Sequence, residues 1–399
     1  MSAHRTERYV ALDGMRGLAA ICVALIHVPE LKPFVSGGYL AVDLFFVLSG
    51  FVICSAYEDR LAADLHPGKF LLIRLVRFYP MYVMGLAIGF AGALVHAWHG
   101  SIGHLGTVLL GGLAYLLFLP QPIFATKSLY LFNRPMWSLF FELLINAVYA
   151  VFLRRLSQRW LIGFVAVNGL LLSFCVVAAG RANFGVSPDQ FLPGLIRTAF
   201  SFSVGVLIYR SRDRIKMRLH PMLLLPAIGL LLTAPIPSGV ARILWDFMCV
   251  GIAFPVLIAF GANCRNVPRF VPLLAMLGAM SYPLYAIHNP MLRLAAPPLE
   301  HLLLLPGWLM GLSVVLLLVA ICPFLERVYE RPARCWLTAQ LDRLWNTYFC
   351  RSGGKEPASE SGPLPARADV IAVAESQGPT PDHDDNRAGG RGPLADEGT

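Results

Sequence analysis

Charged residues are scarce in this sequence. Only 14% of its 399 residues are Asp, Glu, Lys or Arg, and 56% are hydrophobic, whereas soluble domains carry about 25% charged residues. A soluble chain of this composition would expose more apolar surface than water tolerates. The apolar residues instead form runs of about 20, the length that crosses a bilayer as a helix. Examples are 71–95, 160–179, 241–260 and 301–324. The sequence predicts an all-α polytopic membrane protein.

Acidic residues are fewer than basic ones, which gives a net charge of +9. A basic balance is shared with nucleic-acid-binding proteins, but here the basic residues form short clusters between apolar runs. The clusters lie at 74–77, 154–159, 210–218 and 327–334. This is the distribution of cytoplasmic loops under the positive-inside rule, so we predict no nucleic-acid partner.

Metal-binding and disulfide patterns are also missing. None of the eight cysteines has a Cys-x-x-Cys or Cys/His spacing, and most lie inside apolar runs, as small core residues do. The cluster His96, His99 and His104 has no accompanying cysteine or carboxylate. We therefore predict neither a disulfide framework nor a metal site.

The sequence contains eleven apolar segments, and the charges of the loops between them indicate which segments cross the membrane. Three segments lie between positions 78 and 153, yet the basic clusters on both sides require an even number of crossings there. The segment 104–120 is short and carries Gly111-Gly112 at its centre. We predict that it is re-entrant or interfacial, which is tolerated where protein or a wet cavity covers the backbone. About ten transmembrane helices result.

The chain divides into four parts. Residues 1–8 form the N-terminus, 9–334 the membrane domain, 335–350 a juxtamembrane segment, and 351–399 a tail. The tail is rich in Gly, Pro, Ser, Ala and acidic residues. It has too little apolar content to fold, so we predict that it is disordered.

The first spans contain ionisable residues, which are costly inside a membrane. Arg16 and His27 are eleven residues apart, about three helical turns or ~16 Å, so they share one face. Asp13 joins that face, and Asp43 lies on the next span. Taken singly, Arg16 could snorkel from a helix end beside Asp13, and His27 could be a hydrogen-bonded core histidine. Together with Asp43 they favour a shared polar cavity, where histidine suits general-base work because its ordinary pKa lies near neutrality.

Longer motifs make the pattern more specific. The run YVALDGMRGLAAICVALIH, followed by GGYLAVDLFFVLSGFVI, closely resembles the opening of the acyltransferase-3 family of integral-membrane O-acyltransferases. Arg16 and His27 match its Arg/Lys-x10-His motif. The run RLVR at 74–77 matches its RxxR motif, WSLFFE at 137–142 resembles WSLxxE, and SYPLYAIH at 281–288 resembles SYxxYxxH. The likeness covers about 9–334, with one departure at Ala41, where the family usually has Gly.

The resemblance implies roles for individual residues. His27 would be the catalytic base, with Arg16 and Asp43 as partners in the site. Arg74 and Arg77 would hold the phosphates of acyl-CoA, which suits guanidinium groups three residues apart on one helix face. Alternatively, these two arginines only set the topology.

Further candidates lie on two later spans. Glu142 could orient an acceptor hydroxyl, polarise His27 or pair with an arginine. Ser281, Tyr285 and His288 follow one another at i, i+4 and i+7 and so share a helix face. They could line the cavity, as could Asp13 and Trp137, or form a core hydrogen-bond network.

The resemblance implies transfer of an acyl group, acetyl in the first instance, from cytoplasmic acyl-CoA to a hydroxyl of a carbohydrate or glycolipid acceptor, and this is the leading hypothesis. No permanently bound cofactor is implied. We expect the protein in the inner membrane of a bacterium, and the loop charges with ten crossings put both termini in the cytoplasm. A secondary transporter is the alternative, because intramembrane Asp, Arg and His also serve substrate and proton paths. The lack of an internal repeat weakens that alternative.

Overall fold

The computed structural model describes residues 9–98, 105–120, 128–215, 220–264, 267–304 and 306–349. Within these ranges the chain is helical and has no strand. The helices are α1 Val10–Ile26, α2 Ala41–Ala63, α3 Pro67–Trp98, α4 Leu105–Leu116, α5 Met136–Val151, α6 Gln158–Ala179, α7 Phe191–Arg210, α8 Pro221–Thr233, α9 Val240–Met248, α10 Phe254–Ala262, α11 Val271–Leu303, α12 Gly307–Leu325 and α13 Arg331–Phe349. The predicted all-α class is confirmed.

Eight helical stretches in the described ranges are long and apolar enough to cross a membrane. The chain is therefore a multi-pass membrane protein. Helix α1 has 17 residues and α8 has 13, so both fall short of that length. The predicted count of ten requires that these two also cross, and it stays a prediction.

Helix α4 occupies the segment for which we predict a re-entrant or interfacial position. It has 12 residues, or about 18 Å at the rise of an α-helix. This length is well short of the ~30 Å hydrocarbon core of a bilayer. The helix is thus too short to cross alone, and its re-entrant or interfacial position stays a prediction.

The juxtamembrane segment 335–350 continues the last span instead of leaving the bundle. A π-helical turn, Glu326–Glu330, joins α12 to α13. Helix α13 then packs against the start of α3, where Lys69 pairs with Asp342 at 3.4 Å. The N-terminus 1–8, the tail 351–399, His99 and His104 lie outside the described residues, as does the side chain of His96.

Glycines allow close approach of α1 to α11 and of α2 to α7. A Cβ atom on Gly17 of α1 would lie 2.4 Å from the carbonyl oxygen of Leu277 on α11. On α2, a Cβ atom on Gly50 would lie 1.9 Å from the carbonyl oxygen of Phe202 on α7. Only glycine permits such contacts, and small residues serve this purpose widely between membrane helices. The close packing brings polar side chains of α1 within reach of α11, and those of α2 within reach of α7.

Candidate active site

His27 closes the C-terminal end of α1 and is half-buried. Its Nδ1 atom lies 2.7 Å from the carbonyl oxygen of Val23. A carbonyl only accepts hydrogen bonds, so Nδ1 must carry the proton of the neutral ring and donate it. The lone pair of His27 is then on Nε2. Lys32 and Arg134, which the sequence did not single out, are exposed cations within electrostatic range of the ring.

A second histidine touches the first. The His288 ring on α11 is fully buried, and its centroid lies 4.9 Å from that of His27, with 62° between the ring planes. Its Nδ1 lies 2.9 Å from the carbonyl oxygen of Tyr285 and 3.0 Å from that of Leu284. The same argument therefore assigns the Nδ1-protonated form to His288. Its buried Nε2 has no hydrogen-bond partner.

Arg16 is bound to α11. Its Nε donates to Ser281 Oγ at 2.8 Å, and a terminal nitrogen donates to the carbonyl oxygen of Gly278 at 3.1 Å. The same nitrogen lies 3.5 Å from the carboxylate of Asp13. The pairing with Asp13 is therefore present, but Arg16 does not snorkel toward a helix end. It links α1 to the SYPLYAIH segment.

Arg74 on α3 and Glu142 on α5 form an ion pair inside the bundle. A terminal nitrogen of Arg74 lies 3.3 Å from Glu142 Oε1, and Ser49 Oγ donates to the same oxygen at 2.6 Å. Of the three roles considered for Glu142, the structure has the pairing with an arginine. The Nε atom of Arg74 is buried without a hydrogen-bond partner, so this guanidinium retains an unused donor.

Arg77 pairs with Glu330 on the π-helical turn after α12. The Glu330 side chain is only 1% exposed, and its Oε1 also lies 3.4 Å from Arg334. The Arg77 guanidinium stacks 5.1 Å from the ring centroid of Tyr282. Sequence reasoning missed Glu330 because it lies beyond the last apolar run, within a basic cluster. Both arginines of the RxxR motif thus have a carboxylate partner inside the protein.

Asp43 is paired with Arg197. Arg197 Nε lies 2.9 Å from Oδ1 and a terminal nitrogen lies 2.5 Å from Oδ2, and both side chains are at most 1% exposed. The sequence left open a pairing of Asp43 with Arg16, and the structure has Arg197 instead. Arg197 could have been found, because an arginine inside the apolar run 191–209 is as costly as Arg16.

A cavity of about 280 Å³ reaches the Asp43–Arg197 pair. Its walls come from α6, α7, α9 and the π-helical turn Cys249–Ala253, and Asp246 also lines it. Asp43 therefore borders a cavity, but neither Arg16 nor His27 lines it, so it is not the cavity that the sequence analysis expected these three residues to share. Trp137 packs beside this pair, with the Arg197 guanidinium 5.7 Å from its ring centroid.

Tyr285 connects two of the sequence motifs. Its hydroxyl lies 2.6 Å from Ser138 Oγ on α5 and donates to the carbonyl oxygen of Pro135 at 3.0 Å. Its ring centroid lies 5.9 Å from that of His288. The WSLFFE and SYPLYAIH segments are thus in direct contact beside the histidine pair.

The polar residues form one interior stripe with two different ends. At one end, Arg16 lies within electrostatic range of Arg77, Glu142 and Glu330, so these groups belong to one charged cluster. At the other end is the His27–His288 pair, about 16 Å further along α1. The stripe thus has arginines paired with carboxylates at one end and two imidazole rings in contact at the other.

Comparisons with known proteins show the family of the chain. The family model described as an acyltransferase domain matches residues 9–327. The chain belongs to the acyltransferase-3 family. It is therefore a membrane acyltransferase, as the resemblance of its motifs predicted. The match ends seven residues before the predicted domain boundary at 334. No solved structure gives a significant match.

Several curated proteins are similar to this acyltransferase. It is 39% identical over 189 residues to protein 2 of the picA locus of Rhizobium radiobacter. The match covers 43% of this chain and 96% of that protein. It is 27% identical over 299 residues to the exopolysaccharide production protein ExoZ of Rhizobium meliloti, and the match covers 70% of this chain and 88% of ExoZ. BcsY of Komagataeibacter xylinus, whose name describes a membrane-bound transacylase, is 25% identical over 295 residues, covering 70% and 72%.

Proposed function

We propose that this acyltransferase moves an acyl group, acetyl in the first instance, from acyl-CoA to a hydroxyl of a carbohydrate-containing acceptor, with His27 as the general base. The observation that carries the proposal is the bond from His27 Nδ1 to the Val23 carbonyl. It leaves Nε2 as the basic atom of a neutral imidazole, which general-base catalysis requires. A carbohydrate acceptor is supported by the name of ExoZ, which refers to exopolysaccharide production.

The reaction needs one proton acceptor and one place for negative charge. His27 Nε2 takes the proton of the acceptor hydroxyl while its oxygen attacks the thioester carbonyl carbon. The carbon–sulfur bond then breaks, and the imidazolium returns the proton to the CoA thiolate. Negative charge develops on the carbonyl oxygen during attack, and nearby cations stabilise it. Lys32 and Arg134 are the cations near His27, whereas Arg16 lies about three turns away.

The donor acyl-CoA would bind with its phosphates at the arginine end of the stripe. Acyl-CoA is an elongated molecule with its phosphates far from the thioester, and the stripe separates arginines from imidazoles in the same way. A guanidinium has five N–H donors, so a carboxylate on one edge leaves others for phosphate. The unused, buried Nε of Arg74 supports this assignment. Under the positive-inside rule this end faces the cytoplasm, and we place the protein in the inner membrane with both termini inside.

The test is release of free CoA by the purified full chain in lipid nanodiscs. Acetyl-CoA is the donor, and extracted bacterial exopolysaccharide is the acceptor. We expect His27→Ala to lower acceptor-dependent CoA release by about 100-fold or more, the usual contribution of a general base. His66→Ala is the matched control, because His66 is exposed and stacks on Trp345 away from the stripe. Equal turnover of wild type and His27→Ala would refute the mechanism. A transporter would show no His27-dependent CoA release.

A further inference from the structure

His288 presents a buried hydrogen-bond acceptor that nothing in the described structure satisfies. Its side chain is fully buried, its Nδ1 is bonded to the backbone of its own helix, and its Nε2 has no partner. Buried acceptors are almost always paired, so each exception needs an explanation. The atom lies on a ring in contact with His27, the proposed base.

We propose that His288 Nε2 accepts a hydrogen bond from a second hydroxyl of the acceptor, on the carbon next to the hydroxyl that His27 deprotonates. The site would then select vicinal diols, which abound in sugars, over isolated alcohols. This inference rests on the proposed function of His27. It assigns His288 as a residue that binds the acceptor and sets its specificity.

The tautomers of both histidines limit what can lie between them. Each Nδ1–H is donated to a backbone carbonyl, so each neutral ring offers only a lone pair at Nε2. Two acceptors cannot bond to each other, and a donor must come from elsewhere. A diol supplies two O–H donors on adjacent carbons, one for each ring. The ring centroids are 4.9 Å apart, a spacing that suits such a pair of hydroxyls.

Neighbouring protein hydroxyls do not supply the missing donor. Tyr285 and Ser138 have one hydroxyl proton each. Their oxygens lie 2.6 Å apart, and both also lie within bonding distance of the carbonyl oxygen of Pro135. Their two protons are thus used for one bond to each other and one to that carbonyl. Neither is left for His288, which favours a hydroxyl from the substrate.

The experiment compares two small acceptors, 1,2-ethanediol and ethanol, with acetyl-CoA as donor and the full chain in nanodiscs. Ester products are quantified by mass spectrometry to give kcat/KM for each alcohol. We expect the wild type to favour the diol by about 10- to 100-fold, the effect of leaving one buried acceptor unpaired. His288→Leu should lose this preference, so that its kcat/KM for the diol falls to its own value for ethanol. His288→Gln should keep part of the preference, because its side-chain oxygen can accept near the Nε2 position.

Each outcome decides the proposal. An unchanged diol preference in His288→Leu overturns it, as does a wild type that does not favour the diol or acetylates neither small alcohol. If His288→Leu is inactive with both alcohols, His288→Gln decides. Equal kcat/KM values of that variant for 1,2-ethanediol and ethanol overturn the proposal. Failure of the proposed function looks different, because His27→Ala would then release CoA as fast as the wild type.

Discussion

Breaking the Asp43–Arg197 pair should reveal whether Asp43 acts by holding Arg197. The pair is the most buried ion pair of the described ranges, with both side chains at most 1% exposed. Both carboxylate oxygens of Asp43 bond to Arg197, and Ser201 Oγ adds a third bond at 3.2 Å. Removing one partner leaves an uncompensated charge away from water. Such changes cost about 3–5 kcal/mol in buried pairs.

Each single variant should therefore lower the free energy of unfolding strongly. The double variant should lower it by less than the sum of the two single changes. Asp43→Asn removes the carboxylate that is hydrogen-bonded to Arg197, and Arg197→Met removes the guanidinium from Asp43 and leaves its bond with Ser201. The double variant removes both charges together. Replacing both members of a buried pair is often close to neutral. We expect a coupling free energy above about 1 kcal/mol, within the range for residues in direct contact.

The assay is equilibrium unfolding in mixed micelles with increasing SDS, followed by circular dichroism, for all four proteins. CoA release is measured on the same samples. We expect the double variant to recover stability and part of the activity lost in Asp43→Asn. If the free-energy changes add within about 0.5 kcal/mol, the ion pair does not hold these helices together. Recovered stability without any activity would instead show that Asp43 or Arg197 is needed for the reaction itself and not only for stability.

Two further predictions concern the donor end and the topology. Arg77→Gln should raise KM for acetyl-CoA by about tenfold or more, the loss of one charge-assisted hydrogen bond, and leave KM for the acceptor unchanged. Initial rates at varied donor and acceptor concentrations test this, and Arg343→Gln on α13 is a control outside the stripe. A reporter inserted after Leu304 should read as periplasmic and one after Ser211 as cytoplasmic. The reverse readings would contradict the orientation.

The sequence predicted the individual residues of the candidate site better than it predicted their ion-pair partners. Helical periodicity alone puts Arg16, Asp13 and His27 on one face, and the structure confirms that Arg16 and Asp13 are neighbours. Periodicity carries no information about partners on distant helices, however. Asp43 and Arg197 are separated by 154 residues, and Arg77 and Glu330 by 253. Finding those partners requires the packing of α2 against α7 and of α3 against the end of α12.

The sequence analysis did not single out Arg197 or Glu330, and only one of the two could have been found from the sequence. Arg197 lies inside an apolar run, so the free-energy argument applied to Arg16 also applies to it. Glu330 lies in the basic cluster 327–334, where a carboxylate looks like an ordinary surface residue. Its burial arises because the π-helical turn Glu326–Glu330 directs it inward toward Arg77. Local sequence does not report such a turn.

The close packing of α1 and α11 links the two ends of the site. Gly17 lets the helices touch, Arg16 bonds to Ser281 across the contact, and His27 meets His288 further along the same two helices. Arg16 and the two histidines are therefore carried by one helix pair, and the separation of Arg16 from the histidines is set by the rise of an α-helix. A bulky residue at position 17 would push the pair apart. It would disturb the histidine contact and the Arg16 bond together, although neither side chain had changed.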